Sequence, residues 1–182
     1  MREAKIEDAL FVIGGFNGLR SVQAWAKELK RNSRCHAAMT YSWRHAASAG
    51  REIAALGPGK HVTLIGHSLG GGQAELLIQQ LPAGTIDTLI TVASFAPASV
   101  NHGLTRRKVG YWLNILSAPG KGSYQDAIRR MAAPFLLNWR EQGFISCASE
   151  NYISQAPHHD FYKMMSDRCG AVEHGQFRSI SV

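Results

Sequence analysis

His61-Val62-Thr63-Leu64-Ile65-Gly66-His67-Ser68-Leu69-Gly70-Gly71-Gly72 decides how this chain folds. The run Val62 to Ile65 is rich in β-branched and apolar residues, the composition of a strand buried on both faces. Gln73-Ala74-Glu75-Leu76-Leu77-Ile78 follows and suits a helix. Between them stands Gly66-His67-Ser68-Leu69-Gly70, a G-x-S-x-G string in the strand–turn–helix context that gives it meaning. A serine at the tip of so sharp a turn is held in strained dihedrals, with its hydroxyl pushed off the end of the sheet. The positions two before and two after it pass too close for a Cβ, and Gly66 and Gly70 fill them. The helix that starts at Leu69 aims its N–H groups and positive dipole end at the same spot. A plain glycine-rich turn is the simpler reading, since the chain holds 18 glycines. The strand before and the helix after favour a nucleophile at Ser68.

The flanking sequence repeats the alternation. Leu10-Phe11-Val12-Ile13, ending in Gly14-Gly15, reads as a buried strand, and residues 35–41, 87–93 and 111–116 read as three more. Helical spacing covers residues 21–30, with Val22, Trp25, Ala26 and Leu29 on one face. It returns over 46–56, stopped by Gly57-Pro58-Gly59, over 69–81, over part of 124–133, and from near Phe161 onward. Apolar strands alternating with amphipathic helices predict one α/β domain over residues 1–182. Its expected form is a three-layer sandwich, a mainly parallel sheet of about five to six strands flanked by helices. Ligands of such sheets bind beyond the carboxyl ends of the strands, and Ser68 stands at such an end.

With 182 residues, 45% hydrophobic and 18% charged, the composition is that of a globular domain rather than a disordered chain. The net charge of +7 gathers at Arg106-Arg107-Lys108 and Arg129-Arg130. A solvated basic face is the plain reading, and attraction to anionic lipid or envelope polymer the alternative. No nucleic-acid motif accompanies these clusters. The charged N-terminus lacks the apolar core of a secretory signal, and no apolar run reaches the length of a membrane span. Cys35, Cys147 and Cys169 stand outside any metal spacing and fit reduced thiols. A cytoplasmic protein without stable membrane insertion is the expectation, with its oligomeric state open.

A serine hydroxyl is a weak nucleophile at neutral pH and needs a base, with a carboxylate to orient that base. The Gly-His-Ser-Leu-Gly-Gly string resembles the elbow of the α/β-hydrolase superfamily, lipases and esterases especially. In that family the chain order is serine, acid, histidine. The resemblance therefore places the acid after a late strand. Asp126, after the strand at 111–116 and the loop 117–125, takes that role, and Glu150 is the alternative. A carboxylate favoured by a helix N-terminus is the plainer account of Asp126. Asp87 precedes its strand and lies at the wrong end.

The base comes last. Family members often carry it as His-x-Asp followed by an apolar residue, which Pro157-His158-His159-Asp160-Phe161 matches with His158. A shift of one residue gives His159. An exposed loop pair and a weak metal site are the other readings, though two adjacent histidines without a third ligand hold metal poorly. The oxyanion hole would use the N–H groups of Leu69 and Phe16. Gly14-Gly15-Phe16-Asn17-Gly18 is similar to the His-Gly-Phe-x-Gly loop of bacterial lipases, with Gly14 where the histidine usually stands. The apolar stretch 132–139 reads as plain core, as the wall of an acyl pocket or as a small lid, and Trp43 as a further residue lining the cleft. His67 is either a packing residue or a substrate contact. The resemblance implies hydrolysis of a small-molecule or lipid-like carboxylic ester or thioester through an acyl-enzyme, with no cofactor and no metal. A non-hydrolytic binding module on the same fold, or a peptidase or acyltransferase with the same triad, are the rival expectations.

Overall fold

The computed structural model describes residues 7–15, 19–32, 37–57, 60–118, 138–157 and 160–169. Along the chain run β1 (Glu7–Gly14), α1 (Leu19–Asn32), β2 (Ala37–Ser42), a 3-10 turn (Trp43–His45), α2 (Ala46–Ala54), β3 (Lys60–His67) and α3 (Leu69–Gln80). They are followed by β4 (Ile86–Val92), β5 (Phe95–Pro97), α4 (His102–Lys108), β6 (Val109–Ser117), β7 (Trp139–Glu141), β8 (Glu150–Ser154) and α5 (Phe161–Cys169). Six strands form one sheet in the order β2-β1-β3-β4-β6-β8, and every pairing in it is parallel. β5 and β7 make a separate antiparallel ribbon.

Successive side chains of a strand point to opposite faces, and here both faces are covered. Leu10, Val12, Ile65, Ile90, Leu113 and Ile115 meet Val22, Trp25 and Ala26 of α1 and Phe161, Met164 and Met165 of α5. Phe11, Ile13, Leu64, Leu89 and Trp112 meet Ala49 and Ile53 of α2 and Ala74, Leu77 and Ile78 of α3. Two-sided burial is why these strands read as unbroken apolar runs. Truncating one such side chain, Leu64 for example, to alanine would cost about 2–5 kcal/mol.

The order of strands locates the site. From β1 the chain moves outward to β2, then crosses back beyond β1 to β3, and continues through β4, β6 and β8 in the opposite direction. Connections that diverge in this way leave a crevice at the carboxyl ends of β1 and β3. Gly14 ends β1 and His67 ends β3, so the glycine loop and the elbow both open there.

The parallel sheet and its strand count agree with the expectation from sequence. β8, the β5–β7 ribbon and α4 do not appear in that expectation. β8, Glu-Asn-Tyr-Ile-Ser, is an edge strand and has no apolar run. The ribbon strands have three residues each. α4 has seven residues and starts from Asn101, whose Oδ1 accepts the Leu104 N–H at 2.9 Å. The helix expected within 124–133 lies outside the described residues.

The cluster Arg106-Arg107-Lys108 is only partly a solvated face. Lys108 Nζ donates to the carbonyls of Gln79 and Leu81, both at 2.7 Å, and Arg106 Nη1 donates to the Val109 carbonyl at 3.0 Å. α3 ends without a glycine cap, and the lysine ammonium satisfies its last carbonyls and its negative dipole end. Among the described residues no helix is long and apolar enough to cross a membrane.

Candidate active site

Ser68 stands between β3 and α3 with φ 55° and ψ −126°. A non-glycine residue in that region carries about 1–3 kcal/mol of strain and persists only where its surroundings over-determine it. Three backbone hydrogen bonds do so. The Ser68 N–H donates to the Val92 carbonyl at 3.0 Å, and the Ser68 carbonyl accepts from Gly71 and Phe95, each at 2.9 Å. Gly66 and Gly70 fill the close approaches expected of them. A Cβ on Gly66 would sit 2.6 Å from the Gly70 carbonyl oxygen, and one on Gly70 would run into the Ile13 carbonyl.

The end of β1 reaches the same point. A Cβ on Gly15 would lie 2.6 Å from Ser68 Cβ and 2.9 Å from its Oγ. The missing side chain therefore lets the Gly15 backbone lie directly against the serine. Phe16, the expected donor, lies outside the described residues. Leu69 opens α3, so its N–H is among those a helix start leaves without an intrahelical acceptor.

A second strained residue adjoins the first. Ala93 has φ 42° and follows β4, next to the carbonyl that receives the Ser68 N–H. It lines a cleft of about 320 Å³ together with Leu116, Ser117, Glu141, Gln142 and Gly143. Behind this cleft lies a buried polar network. Asn114 Oδ1 accepts from Thr91 Oγ1 at 2.9 Å, and Asn114 Nδ2 donates to Asn151 Oδ1 at 2.8 Å and to the Gly143 carbonyl at 3.1 Å. Asn151 in turn holds both backbone groups of Ile145. The network fixes the 143–145 wall to the sheet. Neither Ala93 nor this wall carried a sequence signal. A positive φ at an alanine has no local residue signature, and an asparagine's partners depend on register.

The segments expected to carry the acid and the base leave β6 and β8 at the same edge as Ser68, since the whole sheet is parallel. They are joined at the start. The Ala118 N–H donates to the Ser154 carbonyl at 2.9 Å, and Ser117 Oγ donates to the Ala156 carbonyl at 3.4 Å. Asp126, His158 and His159 themselves lie outside the described residues. The residues flanking the histidines are bridged, Asp160 N–H to Pro157 carbonyl at 3.0 Å.

Glu150 begins β8, away from the carboxyl edge, and its Oε2 accepts the Tyr111 hydroxyl at 2.7 Å. That placement does not favour it as the triad acid. His67 is 1% exposed with its ring 5.2 Å from that of Phe161, a packing position rather than a substrate-lining one. Trp43 follows β2 and meets Trp139 edge-on at 6.5 Å. Neither ring belongs to the lining of the cleft at Ala93. Residues 132–137 of the expected apolar wall lie outside the described residues.

One ionisable pair escaped the sequence reading. Glu75, fully buried on α3, accepts from or shares a proton with His102 Nδ1 of α4 at 2.7 Å. Burial pushes the Glu75 carboxyl up, with His102 pulling the other way. The hydrogen bond to Glu75 raises the His102 pKa. Gln142 also hydrogen-bonds His102, which links the pair to the cleft wall. Among the described residues no group of histidine, cysteine and carboxylate side chains is arranged to hold a metal ion.

No family model matches the sequence, and no curated protein does. Solved structures match in shape. A metagenomic carboxyl esterase superimposes with a TM-score of 0.51 at 12% identity over 85% of this chain, which spans 65% of that protein's length. A methylesterase from Arabidopsis superimposes with a TM-score of 0.51 at 11% identity, over 97% of this chain and 99% of its own. At such identities the likeness shows a shared fold.

Proposed function

On this α/β-hydrolase fold, we propose that the chain is a serine hydrolase of carboxylic esters. The observation that carries the reading is Ser68, held at positive φ on the β3–α3 turn with the Gly15 loop against its hydroxyl. The fold's occurrence in esterases supports it.

In this reading His158, or His159 one residue on, takes the Ser68 proton as Oγ attacks the ester carbonyl carbon. The carbonyl oxygen becomes an oxyanion, held by the N–H groups of Leu69 and Phe16. The tetrahedral intermediate collapses, the C–O bond to the alcohol breaks, and the histidine returns its proton to the leaving alcohol. Water, deprotonated by the same histidine, then attacks the acyl-enzyme and releases the acid and free Ser68. Asp126 holds the imidazole in the tautomer that faces the serine. The chemistry needs no cofactor. The substrate is a small-molecule or lipid-like ester, and the cleft at Ala93, with Ser117, Gln142 and Leu116 in its lining, accepts a partner that is not wholly apolar. The working compartment is the cytoplasm.

Hydrolysis of nitrophenyl esters from acetate to palmitate, with thioesters alongside, tests the reading. The expected result is turnover of short and medium chains, with single His158→Ala and His159→Ala variants separating base from neighbour. Loss of several orders of magnitude belongs to the base alone, and Asp126→Asn should fall with it. Turnover by none of the substrates would favour a binding module.

A further inference from the structure

We propose that Asp167 is a positioning residue for the catalytic base, a role that rests on the serine-hydrolase reading of the site. Asp167 lies near the end of α5, yet its carboxylate is turned back onto the exit of β8. Oδ2 accepts the Ser154 hydroxyl at 2.5 Å, the Gln155 N–H at 3.1 Å and the Ala156 N–H at 3.2 Å. Ser154 is fully buried, and its Oγ also accepts the Ala156 N–H at 3.0 Å. One carboxylate oxygen thus gathers three donors from three successive residues, two positions ahead of His158.

The other end of the histidine segment is fixed independently. Asp160 donates its N–H to the Pro157 carbonyl and accepts the Lys163 N–H on Oδ1 at 3.2 Å. Phe161 packs between Trp25, at 5.5 Å, and His67, at 5.2 Å, the latter the residue before the nucleophile. The downstream end is seated on the residue before the nucleophile, and Asp167 holds the upstream end at Ser154, Gln155 and Ala156. Two of these three residues are also bonded to the segment leaving β6, Ser154 through Ala118 and Ala156 through Ser117. Releasing Asp167 would shift the base relative to both the serine and the acid's segment. A displacement of about 1 Å at a catalytic group costs on the order of 10²-fold in rate. Such a loss falls on kcat, because the base acts in the transition state and does not bind the ground-state ester.

Three variants test this, Asp167→Ala, Asp167→Asn and Ser154→Ala, each assayed for ester turnover and for the rate of fluorophosphonate labelling. Asp167→Ala should lower kcat on the order of 10²-fold with KM nearly unchanged, and labelling should slow in parallel. Asp167→Asn keeps an acceptor oxygen in place and should recover most of both rates. Ser154→Ala removes one donor and should cost several-fold in kcat alone, which serves if Asp167→Ala does not fold. Wild-type kcat in Asp167→Ala or in Ser154→Ala, a loss confined to KM, or no recovery in a folded Asp167→Asn would each overturn the proposal. A wild-type protein that takes no label would instead overturn the hydrolase reading beneath it.

Discussion

Replacing Gly15 with alanine should inactivate the protein without replacing any residue of the proposed triad. The added Cβ would lie 2.6 Å from Ser68 Cβ, 2.9 Å from Ser68 Oγ and 3.0 Å from the His67 carbonyl oxygen. Carbon atoms pack best at about 3.5–4.0 Å, so the overlap with Ser68 Cβ is about 1 Å. Ser68 cannot retreat, because its N–H and carbonyl are bonded to β4 and to Phe95. Relief must come from the backbone at Gly15 moving off or from the serine side chain rotating. The first would carry away the proposed Phe16 donor, and losing one oxyanion donor costs roughly 10²–10³-fold in kcat. The second misaligns the nucleophile. Overpacking of this kind costs about 1–3 kcal/mol, which for a domain of this size lowers the thermal midpoint by roughly 2–12 °C.

Steady-state kinetics at a temperature where the variant is fully folded would show kcat down by about 10²-fold or more, with KM little changed. Gly57→Ala is the control, since a Cβ there meets nothing within 4 Å. It should leave activity unchanged and stability equal or slightly higher. A Gly15→Ala protein with wild-type kcat would refute the contact between Gly15 and Ser68, and with it the oxyanion hole proposed on that contact.

Ser68→Gly should abolish turnover while raising stability by about 1 kcal/mol, because glycine relieves the positive φ; an unchanged or lowered unfolding midpoint would contradict the strain. Glu75→Gln should flatten the dependence of stability on pH. The folded-state pKa of His102 is raised by Glu75, so the pair's contribution is full below the histidine's unfolded value of 6.5 and is lost as pH rises through the folded value. Urea midpoints from about pH 6 to about pH 9 should decline in the wild type and less in the variant, and equal declines would refute the coupling. Lys108→Met leaves the Gln79 and Leu81 carbonyls without their donor and should cost about 1–2 kcal/mol without altering kcat, a loss in activity at unchanged stability being the contrary result.

What could be read from sequence tracks how local the cause is. The elbow was legible because strand, turn and helix are written in consecutive residues, with Gly66 and Gly70 reporting steric demands on either side of Ser68. The sheet was legible because two-sided burial leaves continuous apolar runs in β1, β3, β4 and β6. β8 was not, since as an edge strand it carries Glu150, Asn151 and Ser154, whose partners Tyr111, Asn114 and Asp167 come from distant chain. Gly15 was visible as part of a turn, but its contact with Ser68 arises only when β1 and β3 pair. The Glu75–His102 pair and the clamp at Asp167 join residues 27 and 13 positions apart, at spacings that no helical or strand period favours.

Whether Ser68 is an activated nucleophile is measured directly by active-site labelling. Treat the wild-type protein and Ser68→Ala with a fluorophosphonate, then read intact mass and map the modified peptide. One phosphonyl adduct is expected on the wild type, located on Ser68, and none on the variant. A wild type that takes no adduct, or an adduct that persists in Ser68→Ala, would contradict it.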